Sequence, residues 1–543
     1  MKNFIYTLLI LTVAAASGCN KFLDETPRDR LPVDQAYGNL DELYLNAVAS
    51  LYSCVGGNKD SYGLQGTRRG IYDLNTFTTD EAMIPTRGTD WYDGGLWQGL
   101  YTHSWGTGSS AVSDTWTYLF QTILRCNKSI EGITAYQQQK QVDVSYYLAE
   151  VKALRAMFYF YAMDLYGRLP IIKRSEPEWE DLLLKNRSEV FNFIRSELQE
   201  AIPNLSESYS NRPGAYYSRM TMPVAFFLLA KLALNAEVYT WDNWTSEPRP
   251  DGKNIIWKID GKSMNTWEAT VYYCDLLADM GYALEPDYQT NFQVENEQSY
   301  ENIFTIPMDK WLYTNQFTNL FRSRHYNHAT ALGLNGENGS CATLEALDAF
   351  GYGTDRQDPR FDISYYAGEV YDYDGYPVLL DDGTPLVYEP RQIALDLSGS
   401  PYEKTAGARM RKYDVDRTAT KDGNQSNNDI VLFRYADVLL MKAEALLRDS
   451  GPNDVSLALV NQVRRRVDAD ERTSLSLDDI LQERLLELAW EGWRRNDMIR
   501  FDTFCNLRSF CPVTSLEADH HTIVFPMPGE FLAITGDKQN YGY

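Results

Sequence analysis

Between Ser145 and Tyr166 the apolar residues repeat as a helix requires. Tyr147, Val151, Leu154, Phe158, Tyr161 and Leu165 fall at alternating spacings of four and three and share one face. Ala149, Ala153 and Ala156 lie among them, so a second helix can approach closely. Gly167 and Pro170 end the run. A helix of this kind is stable only against a partner, and the chain supplies several. Pro223 to Tyr239 carries Ala225, Leu229, Leu232 and Ala236 on one face, and Phe433 to Arg448 carries Ala436, Leu440, Ala443 and Leu447. Further helices are predicted over Val455–Val467 and Leu477–Phe501, with shorter ones at Asp41–Cys54, Trp116–Glu131, Arg187–Ile202 and Trp267–Met280. The fold class is therefore mainly α, with antiparallel helix pairs as a scaffold. No clean tetratricopeptide period of about 34 residues is present, so any such repeat is degenerate.

Two stretches break the helical pattern. Residues from Gly56 to Ser113 and from Tyr282 to Asn427 are rich in Gly, Asp and aromatics, with short β-like runs such as Ile303-Phe304-Thr305-Ile306. Both read as long irregular loops with minor strands, and loops of this length usually carry function.

The N-terminus reads as an export signal. Lys2 precedes an apolar stretch from Phe4 to Ala16, and Ala16-Ser17-Gly18-Cys19 follows. The stretch is shorter than the roughly 20 residues a membrane span needs. The cysteine after Ser-Gly resembles a bacterial lipobox, with Ala16 where Leu is favoured. Residues 1–18 are thus expected to be a lipoprotein signal peptide, Cys19 the lipidation site, and 19–543 a single domain.

The formal charge of −24 argues against nucleic acid and against anionic lipid headgroups as partners. Six cysteines remain after Cys19, and only Cys505 and Cys511 are close enough in sequence to suggest a disulfide. CxxC and HxxxH spacings are absent, which excludes the common structural zinc sites. Asp372-Tyr373-Asp374-Gly375 and Asp381-Asp382-Gly383 have the look of a calcium loop. Gly383 stands where its bidentate Glu belongs, and turn chemistry accounts for Asp-Gly without metal. No cofactor is expected, and a structural calcium ion is left unplaced.

Several segments, in order along the chain, together resemble one family. They are Cys19-Asn20-Lys21-Phe22-Leu23-Asp24 with Pro27, Thr78-Thr79-Asp80-Glu81-Ala82, and Arg434-Tyr435-Ala436-Asp437-Val438-Leu439-Leu440-Met441 with Ala443-Glu444-Ala445. Asn461-Gln462-Val463-Arg464-Arg465-Arg466 follows, then Glu483-Arg484, Glu487, Glu491-Gly492, Arg494, Asp497 and Arg500, and the end Gln539-Asn540-Tyr541-Gly542-Tyr543. The chain resembles the SusD/RagB outer-membrane lipoproteins of Bacteroidetes, with an N-terminal region over 19–230 and a C-terminal region over 270–543. The resemblance implies tetratricopeptide-like helix pairs under irregular loops. It also implies a non-catalytic role: binding glycan at the cell surface and passing it to a SusC-like TonB-dependent transporter, on which the protein acts as a lid. A peptide or other nutrient ligand of the RagB type is the alternative, and a helical glycoside hydrolase is the less favoured one.

The chain holds 38 Tyr, 22 Phe and 12 Trp, many in polar, Gly-rich surroundings where flat rings can grip sugar. The first candidate platform is Trp91, Tyr92, Trp97, Tyr101 and Trp105 among Gly94, Gly95 and Gly99, with Arg87, Asp90, Asp93 and Gln98 for hydroxyls; two of the aromatics are expected to anchor the loop. Trp311 and Tyr313 form a second ligand-binding group, and Trp241 and Trp244 a third that caps the core. The Glu and Arg residues between Glu483 and Arg500 are expected to pair, with lowered carboxyl pKa values, rather than to catalyse. Asp80-Glu81 is the best carboxylate pair for an enzyme reading.

Overall fold

The computed structural model describes residues 37–312, 315–419, 426–511 and 519–543. The signal segment, Cys19 to Pro27, and Tyr313 lie outside the described residues. The architecture is mainly α. Helices α1 (Ser110–Lys140), α2 (Ser145–Tyr166) and α3 (Arg187–Ala201) pack in succession, α1 on α2 and α2 on α3. Then α4 (Met222–Leu234) lies against α5 (Thr266–Asp279), and α5 against α6 (Tyr435–Ser450). Helix α6 also packs on α7 (Asp454–Arg465) and α8 (Leu477–Leu488), and α9 (Arg494–Arg500) follows.

Local chemistry sets these boundaries. Helix α2 stops at Gly167 (φ +72°), where a Cβ would stand 2.9 Å from the Trp244 ring. Helix α5 opens on a capping box: Asn265 accepts from the N–H groups of Trp267 and Glu268, and Glu268 accepts from Asn265 N–H at 2.7 Å. In α4 every residue from Pro223 to Leu234 is buried, which places it at the centre of the scaffold.

Two predicted helices differ. The helix expected from Phe433 to Arg448 is a strand at its start. Strand β1 (Asn302–Ile306) pairs antiparallel with β2 (Ile430–Arg434), and helix α6 begins only at Tyr435. The predicted helix over Leu477–Phe501 is broken between α8 and α9. Trp490 (φ +67°) and Gly492 (φ +74°) leave the helical region there. Buried Lys412 closes the end of α8, its Nζ donating to the carbonyls of Glu487 at 3.2 Å and Ala489 at 2.6 Å. From the other side the Glu81 carboxylate accepts Trp490 N–H at 2.8 Å.

The long irregular regions hold more regular structure than expected. Short helices occupy Ile71–Thr76 and Leu96–Tyr101, and Ala82–Met83 pairs with Cys341–Ala342 across the two regions. Asp372 and Asp382 accept backbone N–H groups of their own turns, and Asp381 meets Asn327 and Lys404. Among the described residues no group of three or more His, Cys, Asp or Glu could hold a metal ion. Cys505 sulfur faces the Thr522 hydroxyl, and Cys511 sulfur faces Arg508.

A buried ion lattice joins scaffold to loops. Arg434 donates to Glu301 at 2.8 Å, Glu487 at 2.6 Å and Glu491 at 2.7 Å. Arg360 pairs with Asp358 at 2.8 Å, Glu483 at 2.7 Å and Glu487 at 3.0 Å. Arg466 reaches Glu301 and Glu487, and Lys412 reaches Glu491. A second branch links Arg484 to Asp437 and Asp497, and Arg500 to Asp497 and Glu444. Burial alone would raise these carboxyls. The guanidiniums of Arg466, Arg434 and Arg360 instead hold Glu487 far below the usual range, and Arg484 with Lys231 holds Asp437 down to about 2.

Removing one member strands charges of the other sign in a low dielectric. Arg434→Met is expected to cost about 3–5 kcal/mol in urea unfolding, and Arg434→Lys to recover only part of it. A midpoint unchanged by Arg434→Met would refute this account of the lattice.

Candidate functional site

The early aromatic loop is built as a turn whose side chains split between core and surface. Arg87 and Asp90 exchange backbone hydrogen bonds at 2.9 and 3.0 Å around Gly88 (φ +65°). The chain then passes Trp91 and Asp93, both at positive φ, and Gly94 and Gly95 before entering Leu96–Tyr101. Trp91 lies over Gly339, where a Cβ would come within 2.7 Å of its ring, and its Nε1 donates to Glu337 carbonyl at 2.8 Å.

Trp97 is buried. Its ring meets Trp91 and Phe77 edge-on, with centroids at 5.7 and 6.0 Å, and its Nε1 donates to Asp93 Oδ2 at 2.8 Å. Tyr101 is buried with its hydroxyl on Ser509 carbonyl, and Trp105 is buried with Nε1 on the Tyr543 hydroxyl. Arg87 is buried too, donating to the carbonyls of Gly339, Glu403 and Ala406, and burial with Arg409 nearby pushes its pKa down to about 9. Trp97, Tyr101 and Arg87 hold the loop in place and offer no open face. Gln98 does the same, donating to the carbonyls of Ile84 and Trp91.

Tyr92 is the exposed ring of this group, at 60%. Two residues before it, Asp90 accepts the Tyr326 hydroxyl at 2.9 Å, and Tyr326 is itself 45% exposed. Arg69 pairs with Asp93 at 3.0 Å, and Arg68 with Glu337. Asp90 thus ties exposed Tyr326 to the turn that carries exposed Tyr92, with the Arg69–Asp93 and Arg68–Glu337 pairs on the neighbouring segments. The same loop walls a cleft of about 610 Å³, lined by the Arg69 and Asp93 pair, by Leu96, Leu100 and Trp105 as its apolar part, and by Ser104 and Ser109. Sequence reading passed over Tyr326, Arg68 and Arg69, because they lie outside the Gly-rich aromatic stretch. Their exposure and their pairing across the chain could be found only in three dimensions.

Trp311 is 73% exposed on a turn where Asp309 accepts the N–H groups of Trp311 and Leu312 at 2.7 and 2.8 Å. Its neighbour Tyr313 lies outside the described residues. The turn rests on Asp429, whose carboxylate accepts Met308 N–H at 2.8 Å and the hydroxyls of Thr305 and Tyr217. Just beyond it, Gln316 and Thr318 donate to the carbonyls of Gly57 and Gly66. The Gly56–Arg69 loop thus touches the Trp311 loop at one end and the Tyr92 surface at the other. Trp241 and Trp244 are buried against the core, as their sequence position suggested.

The carboxylate pair Asp80-Glu81 splits in its chemistry. Arg494 holds Asp80 below its ordinary value against burial, while burial pushes Glu81 up to about 7. Such a split is an acid–base signature when substrate can reach it. Here Glu81 is 1% exposed and engaged with the Trp490 backbone, so its role is to fix the α8–α9 break.

The model described as "SusD family" matches residues 292–541, and the model described as "Starch-binding associating with outer membrane" matches residues 21–234. A SusD-like protein of Bacteroides ovatus is 23% identical over 92% of this chain and 82% of its own length. The starch-binding protein SusD of Bacteroides thetaiotaomicron is 23% identical over 92% of this chain and 90% of its own. The solved structure of a laminarin-binding SusD-like protein superposes with a TM-score of 0.67 at 21% identity, covering 93% of this chain and all of that one. The fold is shared, and two of these three, the starch-binding and the laminarin-binding protein, are named for binding.

Two outcomes test the division between anchor and surface. Trp97→Ala is expected to lose about 3–5 kcal/mol of stability, the cost of a buried tryptophan, whereas Tyr92→Ala leaves the urea midpoint unchanged. Equal midpoints for the two variants would refute the division. The second concerns pH. Burial holds Glu81 and Asp429 both up to about 7, above unfolded values of 4.5 and 3.8. The folded protein therefore keeps protons that the unfolded chain has released, so this stabilisation is full below about pH 4 and is lost as pH rises through 7. Asp437 and Glu444, held down to about 2, slope the other way: their stabilisation is lost as pH falls from about 4.5 to 2. Urea midpoints measured across pH are expected to peak near pH 4.5 and decline toward 7.5. Glu81→Gln should flatten that decline by at most about 3 kcal/mol.

Proposed function

Because the chain belongs to the SusD family, we propose that it is a cell-surface lipoprotein that captures an oligosaccharide and delivers it to a SusC-like TonB-dependent outer-membrane transporter. Cys19, in its lipobox-like setting, carries the lipid in this reading. The observation that carries the reading is the Tyr92–Tyr326 surface. Two exposed aromatic rings stand among Asp90, Asp93 and Arg69, on a loop held rigid by buried Trp97, Tyr101 and Arg87.

Sugar rings present C–H faces to aromatic π clouds and hydroxyls to acids and guanidiniums, so such a surface suits a neutral saccharide. Preorganisation spares the ligand the cost of ordering the loop. The relatives named for starch and laminarin support glucose polymers as the first ligands to try. Burial of Glu81, and the pairing of Asp80 with Arg494, leave that carboxylate pair without a route to substrate, which favours binding over hydrolysis.

Isothermal titration with maltohexaose and laminarihexaose tests the reading. Binding to at least one is expected, with the sugar recovered intact. The Tyr92→Ala/Tyr326→Ala variant is expected to weaken it at least tenfold, in line with about 1 kcal/mol or more from each ring contact. Release of reducing ends with time, or undiminished binding by the double variant, would overturn it.

A further inference from the structure

A second cleft, of about 760 Å³, lies apart from the early loop. Its walls come from the Tyr288–Asn291 turn, the Tyr365–Tyr366 strand paired with Arg409–Met410, the Tyr373 turn, and the segment following Tyr413. The volume falls within the range of small-ligand sites.

Two arginines distinguish it. The Arg417 guanidinium stacks on the Tyr373 ring, its carbon 3.7 Å from the centroid, and Arg411 stands 5.4 Å from the Tyr366 centroid. Both side chains are exposed, and among the described residues neither has a carboxylate within ion-pairing distance. Arg411 spends one N–H on the Asp362 carbonyl at 2.9 Å. The cleft also holds two carboxylates: Asp414 accepts from Gln289 at 3.1 Å and lies in the field of Arg411 without pairing with it, and Asp362 accepts from Gln357 at 3.2 Å. In a chain of charge −24, where many interior arginines are tied to acids, this cleft has two exposed guanidiniums without such a partner. Stacking on tyrosine leaves the N–H edge of a guanidinium free, which is the geometry for a bidentate oxyanion. The tyrosine rings and the amides of Gln289 and Gln293 supply a face and hydroxyl partners beside it.

We infer that this cleft is a second saccharide site, selective for a sugar residue bearing a carboxylate or sulfate, with Arg411 and Arg417 as the anion-binding pair. The inference rests on the glycan-binding reading of the protein but not on the Tyr92 surface.

Titration calorimetry with hexagalacturonate and a chondroitin sulfate hexasaccharide, against laminarihexaose and maltohexaose as neutral controls, tests it. The proteins are the wild type, Arg411→Gln/Arg417→Gln and Tyr92→Ala/Tyr326→Ala, with thermal melts to verify folding. At least one acidic hexasaccharide is expected to bind the wild type, to weaken as salt rises, and to lose tenfold or more in affinity in the arginine variant while the tyrosine variant keeps it. Neutral sugar should show the reverse dependence. Failure of both acidic sugars to bind, or arginine-independent binding, overturns the cleft assignment. If neutral binding persists in that case, the Tyr92 surface stands alone. Arginine-dependent acidic binding without neutral binding would uphold the cleft and remove the Tyr92 surface instead.

Discussion

The ion lattice around Arg434 and Glu487 is the constraint on which the rest of the molecule depends. It gathers Glu301 from the start of β1, Asp358 and Arg360 from the central loops, Lys412 from the approach to β2, Arg466 from the end of α7, and three carboxylates from the stretch of α8 and the turn after it. Each ion costs several kcal/mol to desolvate, so a lattice of this kind adds little net stability over an apolar core. Its effect is register. Only one arrangement of these segments satisfies every charge, and any other leaves an ion stranded in a medium that cannot solvate it. Loops with few apolar residues of their own are thereby held to the helical scaffold at fixed points.

The surfaces follow from those fixed points. Lys412 caps α8 from the interior, and the chain running on from it through Arg417 forms one wall of the larger cleft. Asp80 and Glu81 hold α9 and the preceding turn, and the chain leaving them through Ala82–Met83 becomes the early aromatic loop. In that loop the rings divide their work by neighbour. Trp97 spends its Nε1 on Asp93, and Asp93 in turn holds Arg69, so a buried ring sets the position of a surface ion pair. Glycine at 339 lets Trp91 lie flat against the Asn338–Gly339 backbone, which leaves the next ring, Tyr92, outside.

Where the information was local, the sequence was legible. The helix Ser145–Tyr166 begins and ends where periodicity, Gly167 and Pro170 place it, since all its signals lie within a few residues of its ends. The α8–α9 break was not, because Lys412 and Glu81, far off in the chain, impose it on a stretch whose own pattern continues as helix. The helix expected from Phe433 starts two residues later for another reason: a short apolar run such as Ile430–Phe433 fits a buried strand or a helix start equally. Composition drew attention to the early aromatic loop, yet could not say which ring faces out. Trp97 and Tyr92 differ by what Asp93, Phe77 and Gly339 do around them, not by residue type. The larger cleft was invisible for the same reason, being assembled from separated segments, each unremarkable alone.

Charge placement decides what each surface can attract. The lattice pairs its cations with buried acids, so it takes up little net charge and leaves most of the −24 to the exterior. At physiological ionic strength that field decays over about 8 Å, so it slows the approach of a polyanion without reaching into a contact. Neutral sugars meet no such barrier, and the Tyr92 surface, with Asp90, Asp93 and Glu337 balanced only by Arg68 and Arg69, is suited to them. An acidic sugar gains only where a guanidinium is both exposed and uncommitted. Arg411 and Arg417 satisfy that condition because Tyr366 and Tyr373, not carboxylates, support them. A stacked tyrosine orients the cation without neutralising it, whereas the lattice arginines, some of which also lie over a tyrosine, are neutralised by carboxylates.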